Sequence, residues 1–144
     1  MAIAIEGAAP LLEVWDVPTS LTFWRDALGF EVVSHSPPFT DAKDDFGWCL
    51  LRLNGVEVML NNAYENNVRP GPVEDAARVK VHGDTCLYFA CRDVDAAYRA
   101  LRAAGVAASE PKVAYYGMKQ IYMKDPDGYG VCFQWRAEKA GSGE

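Results

Sequence analysis

The chain has 144 residues, half of them hydrophobic, which is enough for one domain with a sizeable core. Its 14 Lys and Arg against 20 Asp and Glu leave a net charge of −6, scattered along the chain. No basic stripe is offered to phosphates, which argues against a nucleic acid or an anionic membrane as partner. No apolar run approaches the roughly 20 residues that span a bilayer. The start, MAIAIEGAAP, lacks the basic region and long apolar core of a signal peptide, so the expected setting is the cytoplasm. The cysteines, Cys49, Cys86, Cys91 and Cys132, show no CxxC and no zinc-finger spacing. Three of them (Cys49, Cys91, Cys132) lie in strand-like apolar runs and read as buried free thiols.

In chain order, LLEVWDVPTSLTFWRDALGFEVV (11–33) opens as a strand and continues as an amphipathic helix. Its apolar stripe is Leu21, Trp24 and Leu28, with Asp16 at the N-cap position and Gly29 just past the end. FGWCLLRLNGVEVMLNN (46–62) reads as strand, Asn-Gly turn, strand. A polar stretch rich in Pro and Gly follows, and residues 64–83 are expected to be a connecting loop in which only VEDAARVKV could form a short helix. It is open whether that loop is a lid, an arm exchanged in a dimer, or a plain surface connection.

CLYFACRDVDAAYRALRAAGVAA (86–108) repeats the first pattern, with Asp93 as cap, Ala97, Leu101 and Ala104 as stripe, and Gly105 as stop. Asp to Gly spans 13 residues in the first copy and 12 in the second. YGMKQIYMKDPDGYGVCFQW (116–135) reads as strand, turn, strand, with Pro126 and Gly128 supplying the turn geometry. Residues 137–144 are expected to be a disordered tail. One domain, 1–144, thus consists of two β-α-β-β-β modules, 8–63 and 84–136. Neither is large enough to bury both faces of its sheet alone.

Strand alternation separates a helix-facing side from an open side. Leu12, Val14, Val56, Val58 and Leu60 face the helix in the first module, leaving Leu11, Glu13, Trp15, Glu57, Met59 and Asn61 on the open face. In the second, Leu87, Phe89, Cys91, Val131 and Phe133 face the helix, leaving Cys86, Tyr88, Ala90, Arg92, Cys132 and Gln134 open. Aromatic plates with a few carboxylates and amides suit a small-molecule pocket, and the carboxylates favour a cation. Tyr115 and Tyr116 are expected near its mouth. As a nucleophile Cys132 would need a base or positive field to lower its pKa. Neither His35 nor His82 is placed to supply one, and both read as solvated loop histidines.

The segments DVPTSLTFWRDALGFEVV, DVDAAYRALRAAGV and MKDPDGYGVCFQW resemble the vicinal oxygen chelate superfamily, over roughly residues 8–136. That group includes glyoxalase I, extradiol dioxygenases, fosfomycin-modifying thiol transferases and bleomycin-resistance proteins. The resemblance implies an α+β fold of paired β-α-β-β-β modules whose sheets curl into a cup. It also implies a divalent metal on the inner face of the enzymes, held by His and Glu from the first and last strands of each module. Here those positions carry Ala9, Cys86 and Cys132, with either Met59 or Glu57 as the fourth, so no metal and no cofactor is expected. The resulting expectation is a homodimer that binds a small, flat, possibly cationic molecule in an acidic aromatic cup. Two alternatives stand beside it. One is a metal-dependent glyoxalase-like lyase or isomerase using Glu57 with a cysteine or water. The other is a structural or regulatory dimer whose cup is filled by its own side chains.

Overall fold

The two sequence repeats become two separate mixed sheets of identical strand order. The computed structural model describes residues 1–62 and 76–138. The expected loop from 64 to 75 and the expected tail from 139 onward lie outside the described residues. The chain divides into two units, Met1–Glu74 and Asp75–Glu144, each an α+β module.

The first unit contains β1 (Leu11–Val14), α1 (Val17–Leu21), β2 (Glu31–His35), β3 (Trp48–Leu53) and β4 (Val56–Asn62), in the sheet order β1-β4-β3-β2. β1 runs parallel to β4, and the others are antiparallel. Such a parallel pair needs a long connection, which α1 and the two following strands provide. Asp16 caps α1, its Oδ2 accepting from Thr19 N at 3.0 Å, and Pro18 sits in the first turn, where its missing N–H costs nothing. Beyond Leu21 the helix widens into a π-helical segment, Thr22–Ala27, in which Leu28 N donates to Phe23 O at 3.0 Å. A π turn accommodates an extra residue. That accounts for the longer Asp-to-Gly interval of this copy. The segment delivers Trp24 into the core, fully buried and edge-on to Phe23 and Phe30 at 5.3 and 5.6 Å. Leu12, Val14, Leu51, Val58 and Leu60 complete that core from the sheet, whereas Val56, expected on the same face, is exposed because it opens β4 at the Asn54-Gly55 turn.

The second unit contains α2 (Ala76–Val81), a 3₁₀ turn (His82–Asp84), β5 (Cys86–Ala90), α3 (Val94–Ala103), β6 (Lys112–Val113), β7 (Met118–Lys124) and β8 (Gly130–Arg136). The order β5-β8-β7-β6 repeats the first sheet, again with its outer pair, β5 and β8, parallel. α3 is capped by Asp93, whose Oδ1 accepts from Ala96 N at 2.9 Å. Its buried residues are Val94 and Leu101. Ala104, expected in the stripe, is the C-cap and is exposed, because Gly105 ends the helix with φ +83° one residue later. Cys91 is half-buried rather than buried.

Residues 76–84 are helical and belong to the second unit, so the connecting loop is shorter than 64–83. The physical reason is the DPDG turn. Arg78 Nη1 donates to Asp127 Oδ1 at 2.8 Å, and His82 Nδ1 donates to the Asp127 carbonyl at 2.7 Å. The His82 ring stacks on Tyr129 at 4.0 Å, nearly parallel. Asp125 Oδ1 accepts from the backbone N–H groups of Asp127 and Tyr129 at 3.0 and 2.9 Å. His82 is therefore a packed clip and not a solvated loop residue. His35 ends β2 and stacks on Phe46 at 4.4 Å. Among the described residues no helix is long and apolar enough to cross a membrane.

Candidate functional site

The open face of the first sheet is organised in rows across the strands. Leu11, Met59 and Leu50 form one row, and Glu13, Asn61 and Trp48 the next. Glu57, Arg52 and Glu31 form the third. Asn61 Nδ2 donates to Glu13 Oε1 at 3.2 Å. Arg52 donates to Glu57 Oε2 from Nε at 3.0 Å and from Nη2 at 2.6 Å. Trp15, just past β1, is half-buried. The expectation of two acidic side chains turned to a ligand therefore changes. Glu57 is matched by an arginine on the neighbouring strand, which the reading of β4 by itself did not include.

The open face of the second sheet is built from Tyr88, Cys132 and Tyr122 in one row, Ala90, Gln134 and Gln120 in the next, and Cys86, Gly130 and Lys124 in a third. A continuous hydrogen-bonded chain crosses it. The Tyr88 and Tyr122 hydroxyls lie 3.0 Å apart, and Tyr122 donates to Gln120 Oε1 at 3.2 Å. Gln120 Nε2 then donates to Gln134 Oε1 at 2.8 Å and to the Tyr116 hydroxyl at 2.7 Å. Gln120 is buried, so its three bonds satisfy a group that would otherwise be costly to desolvate. The network holds the Tyr122 hydroxyl above the usual tyrosine range, first through the bond with Tyr88 and then through burial.

A groove of about 590 Å³ borders this chain, lined by Cys86, Tyr88, Tyr122, Lys124 and the small residues Gly83 and Gly130 among others. A second depression of about 410 Å³ runs past Tyr88 to Gln134 and Arg136. Tyr116 joins the network, whereas Tyr115 is wholly exposed and lines a third depression beside Tyr122 and Lys112. The alternation of MKQIYMK contained the signal for Gln120, Tyr122 and Lys124, and that of WCLLRL the signal for Arg52.

The thiols are not activated. Burial pushes Cys132 up to about 11, and burial also raises Cys86 above its usual value. Cys49, in the first core, is pushed up to about 12 by burial. A thiolate at neutral pH would need the opposite shift.

Strand register also resolves which residue of β4 matches Cys132. Leu11 and Tyr88 each lie five positions before their capping aspartates, and they pair with Met59 and Cys132 respectively. The four positions where the resemblance places metal ligands are thus Ala9, Met59, Cys86 and Cys132. A methyl, a thioether and two thiols do not fit a hard, oxygen-preferring divalent ion. Among the described residues, no three His, Cys, Asp or Glu side chains gather in metal-binding geometry.

The fold is shared with several solved structures. A glyoxalase/bleomycin resistance protein/dioxygenase from Nocardioides is 20% identical, with a TM-score of 0.68 over 99% of this chain and 91% of that one. An antibiotic-binding protein from Streptomyces is 22% identical, with a TM-score of 0.65 over 94% of this chain and all of that one. A bleomycin-binding protein in complex with bleomycin is 18% identical, with a TM-score of 0.60 over 94% and 100% of the two chains. No curated protein matches the sequence. The family model for the Glyoxalase/Bleomycin resistance protein/Dioxygenase superfamily matches residues 10–133, and with the repeated β-α-β-β-β modules in place, the chain belongs to that superfamily.

Proposed function

We propose that this chain is a cytoplasmic, metal-independent binding protein for a small, flat organic molecule, acting as a homodimer. The observation that carries this reading is the open face of the second sheet. Two tyrosines with 51% and 40% of their surface exposed, Tyr88 and Tyr122, are locked edge-on to each other beside a groove of about 590 Å³. Rigid aromatic plates with oriented polar atoms hold planar ligands at low entropic cost. The groove is not filled by side chains of its own unit, which speaks against a purely structural role. The antibiotic-binding and bleomycin-binding proteins of the same fold support the binding reading.

The deciding experiment combines metal analysis of the untagged protein, refolded with nickel, cobalt, iron, manganese and zinc, with a thermal-shift screen of planar aromatic compounds. Metal far below one ion per chain, together with stabilisation by planar compounds, is the expected result. One ion per chain, lost on Glu57→Ala, would replace this reading with glyoxalase-like metal chemistry. Light scattering that finds only monomer removes the dimer.

A further inference from the structure

We infer that the groove on the second sheet selects an aromatic acid, a planar arene carrying an anionic group, which Lys124 receives while the Tyr88–Tyr122 pair packs against the ring. The inference rests on the binding role proposed above and adds the charge of the ligand. It departs from the cationic ligand expected from the acidic composition, and three observations carry it.

First, the strands of this face carry cations and no anions, and among the described residues no Asp or Glu lines the groove. Strands β5 to β8 place Lys112, Lys124 and Arg136 on this side, in register with Gln120, Gly130 and Met118; Glu110, ahead of β6, lines the separate depression beside Lys112 and Tyr115. The acidity of the chain resides elsewhere, including Glu13, Glu31 and Glu57 on the first sheet. Second, Lys124 has no ion-pair or hydrogen-bond partner among the described residues. Its ammonium lies at the groove wall, 3.9 Å from where a side chain on Gly83 would begin. A lysine three residues from the buried Asp127 is thus left to the groove, because Asp127 is already taken by Arg78.

Third, the hydrogen-bond network turns the tyrosine protons inward. Tyr122 donates its one hydrogen to Gln120 Oε1, so at 3.0 Å it accepts from Tyr88. The Tyr88 hydrogen is therefore engaged as well. Its oxygen still accepts, but it has no hydrogen to give a ligand. Cys86 offers only a weak S–H donor. Among the side chains that line the groove, Lys124 is the strong donor that remains, and it is charged. A ligand oxygen that accepts a charge-assisted hydrogen bond is best satisfied there.

The test uses the full-length protein and three probes of one shape, 2-naphthoate, 2-naphthamide and 2-naphthylmethylammonium, measured by titration calorimetry. Naphthoate should bind tightest, and Lys124→Gln should weaken it by about fivefold, the size of a partly solvated ion pair, while leaving the amide unchanged. Raising the salt concentration should narrow the gap between naphthoate and the amide. Equal binding of all three probes, or tighter binding of the ammonium, overturns the acid preference while the binding role stands. If none of the three binds, the binding role falls and the acid preference falls with it.

Discussion

The two sheets share strand order and the register of their central strands, yet their open faces differ in almost every side chain. The helix-facing residues correspond in kind: Leu12, Val14, Val58 and Leu60 in one unit, and Leu87, Phe89, Val131 and Phe133 in the other. Each must fill the space beneath a helix, so folding constrains them in both copies. On the open side the first sheet pairs its charges across strands, Glu57 with Arg52 and Glu13 with Asn61. The second uses neutral phenols and amides with cations around them. The fold tolerates both, so the difference is a matter of what each face meets. The turns differ as well. The Asn54-Gly55 turn stands clear of neighbours, whereas the DPDG turn is gripped by α2.

The largest expected effect is on that grip. Asp127 is almost wholly buried, with 2% of its side chain exposed, and Arg78 satisfies it. Arg78→Ala should cost about 3 kcal/mol in urea unfolding, because it removes the arginine that faces a buried carboxylate. The partly solvated Arg52–Glu57 pair of the other unit offers nothing comparable. A loss below about 1 kcal/mol would show that α2 is peripheral to the stability of the second unit.

The turn glycines give the next contrast. A Cβ on Gly128, at φ +88°, would stand 2.4 Å from the Val79 carbonyl oxygen. On Gly55, at φ +81°, it would meet nothing within 4 Å. Gly55→Ala should therefore cost only the left-handed backbone penalty of about 1 kcal/mol. Gly128→Ala should cost roughly twice that or more, since α2 must also shift. Equal losses in thermal melts of the two variants would mean that the clip is not rigid.

The first unit has its own cross-chain clamp. Arg25 donates to both carboxylate oxygens of Asp44, at 3.0 and 2.9 Å. These bonds hold Asp44 below its ordinary value. A carboxylate with a depressed folded pKa stabilises the fold at neutral pH and loses that contribution as pH falls below the ordinary carboxylate range. Arg25→Ala should cost about 1–2 kcal/mol at pH 7, because both side chains remain partly solvated. It should also flatten the fall of stability towards acid. Parallel pH profiles for wild type and variant would assign the acid sensitivity to other groups.

Much of this architecture was legible in the sequence because local rules and packing agree. Asp16 and Asp93 cap their helices, Gly29 and Gly105 end them, and period-two alternation sorts the strands into their two faces. What escaped was set by contacts between distant segments. The helical residues 76–84 carry a weak local signal, and it is Asp127, 49 positions beyond Arg78, that gives them something to pack against. The π-helical widening left a trace only as one extra residue between cap and stop. On the candidate site, alternation placed Tyr88, Cys132 and Gln134 on one face. It could not show that Gln120 would join Tyr122 to Gln134 and orient the hydroxyls, because that depends on rotamers and on strand pairing together.

The smallest effect in stability is the sharpest probe of the contrast between the faces. Arg52 and Glu57 form an ion pair with 49% and 30% of their side chains exposed, so Arg52→Gln should change stability by less than about 1 kcal/mol. Its consequence lies in charge. Removing the guanidinium leaves Glu57 beside Glu13 and Glu31 on the first sheet without its cross-strand partner, while the cationic side of the second sheet is untouched. A planar cation such as 2-naphthylmethylammonium should then gain affinity by a few-fold in the variant, with the gain shrinking at high salt, and naphthoate should be unaffected. A gain for the cation alone would show that the first face reads charge independently of the second. A matching loss for naphthoate would show instead that the substitution acts beyond the first face.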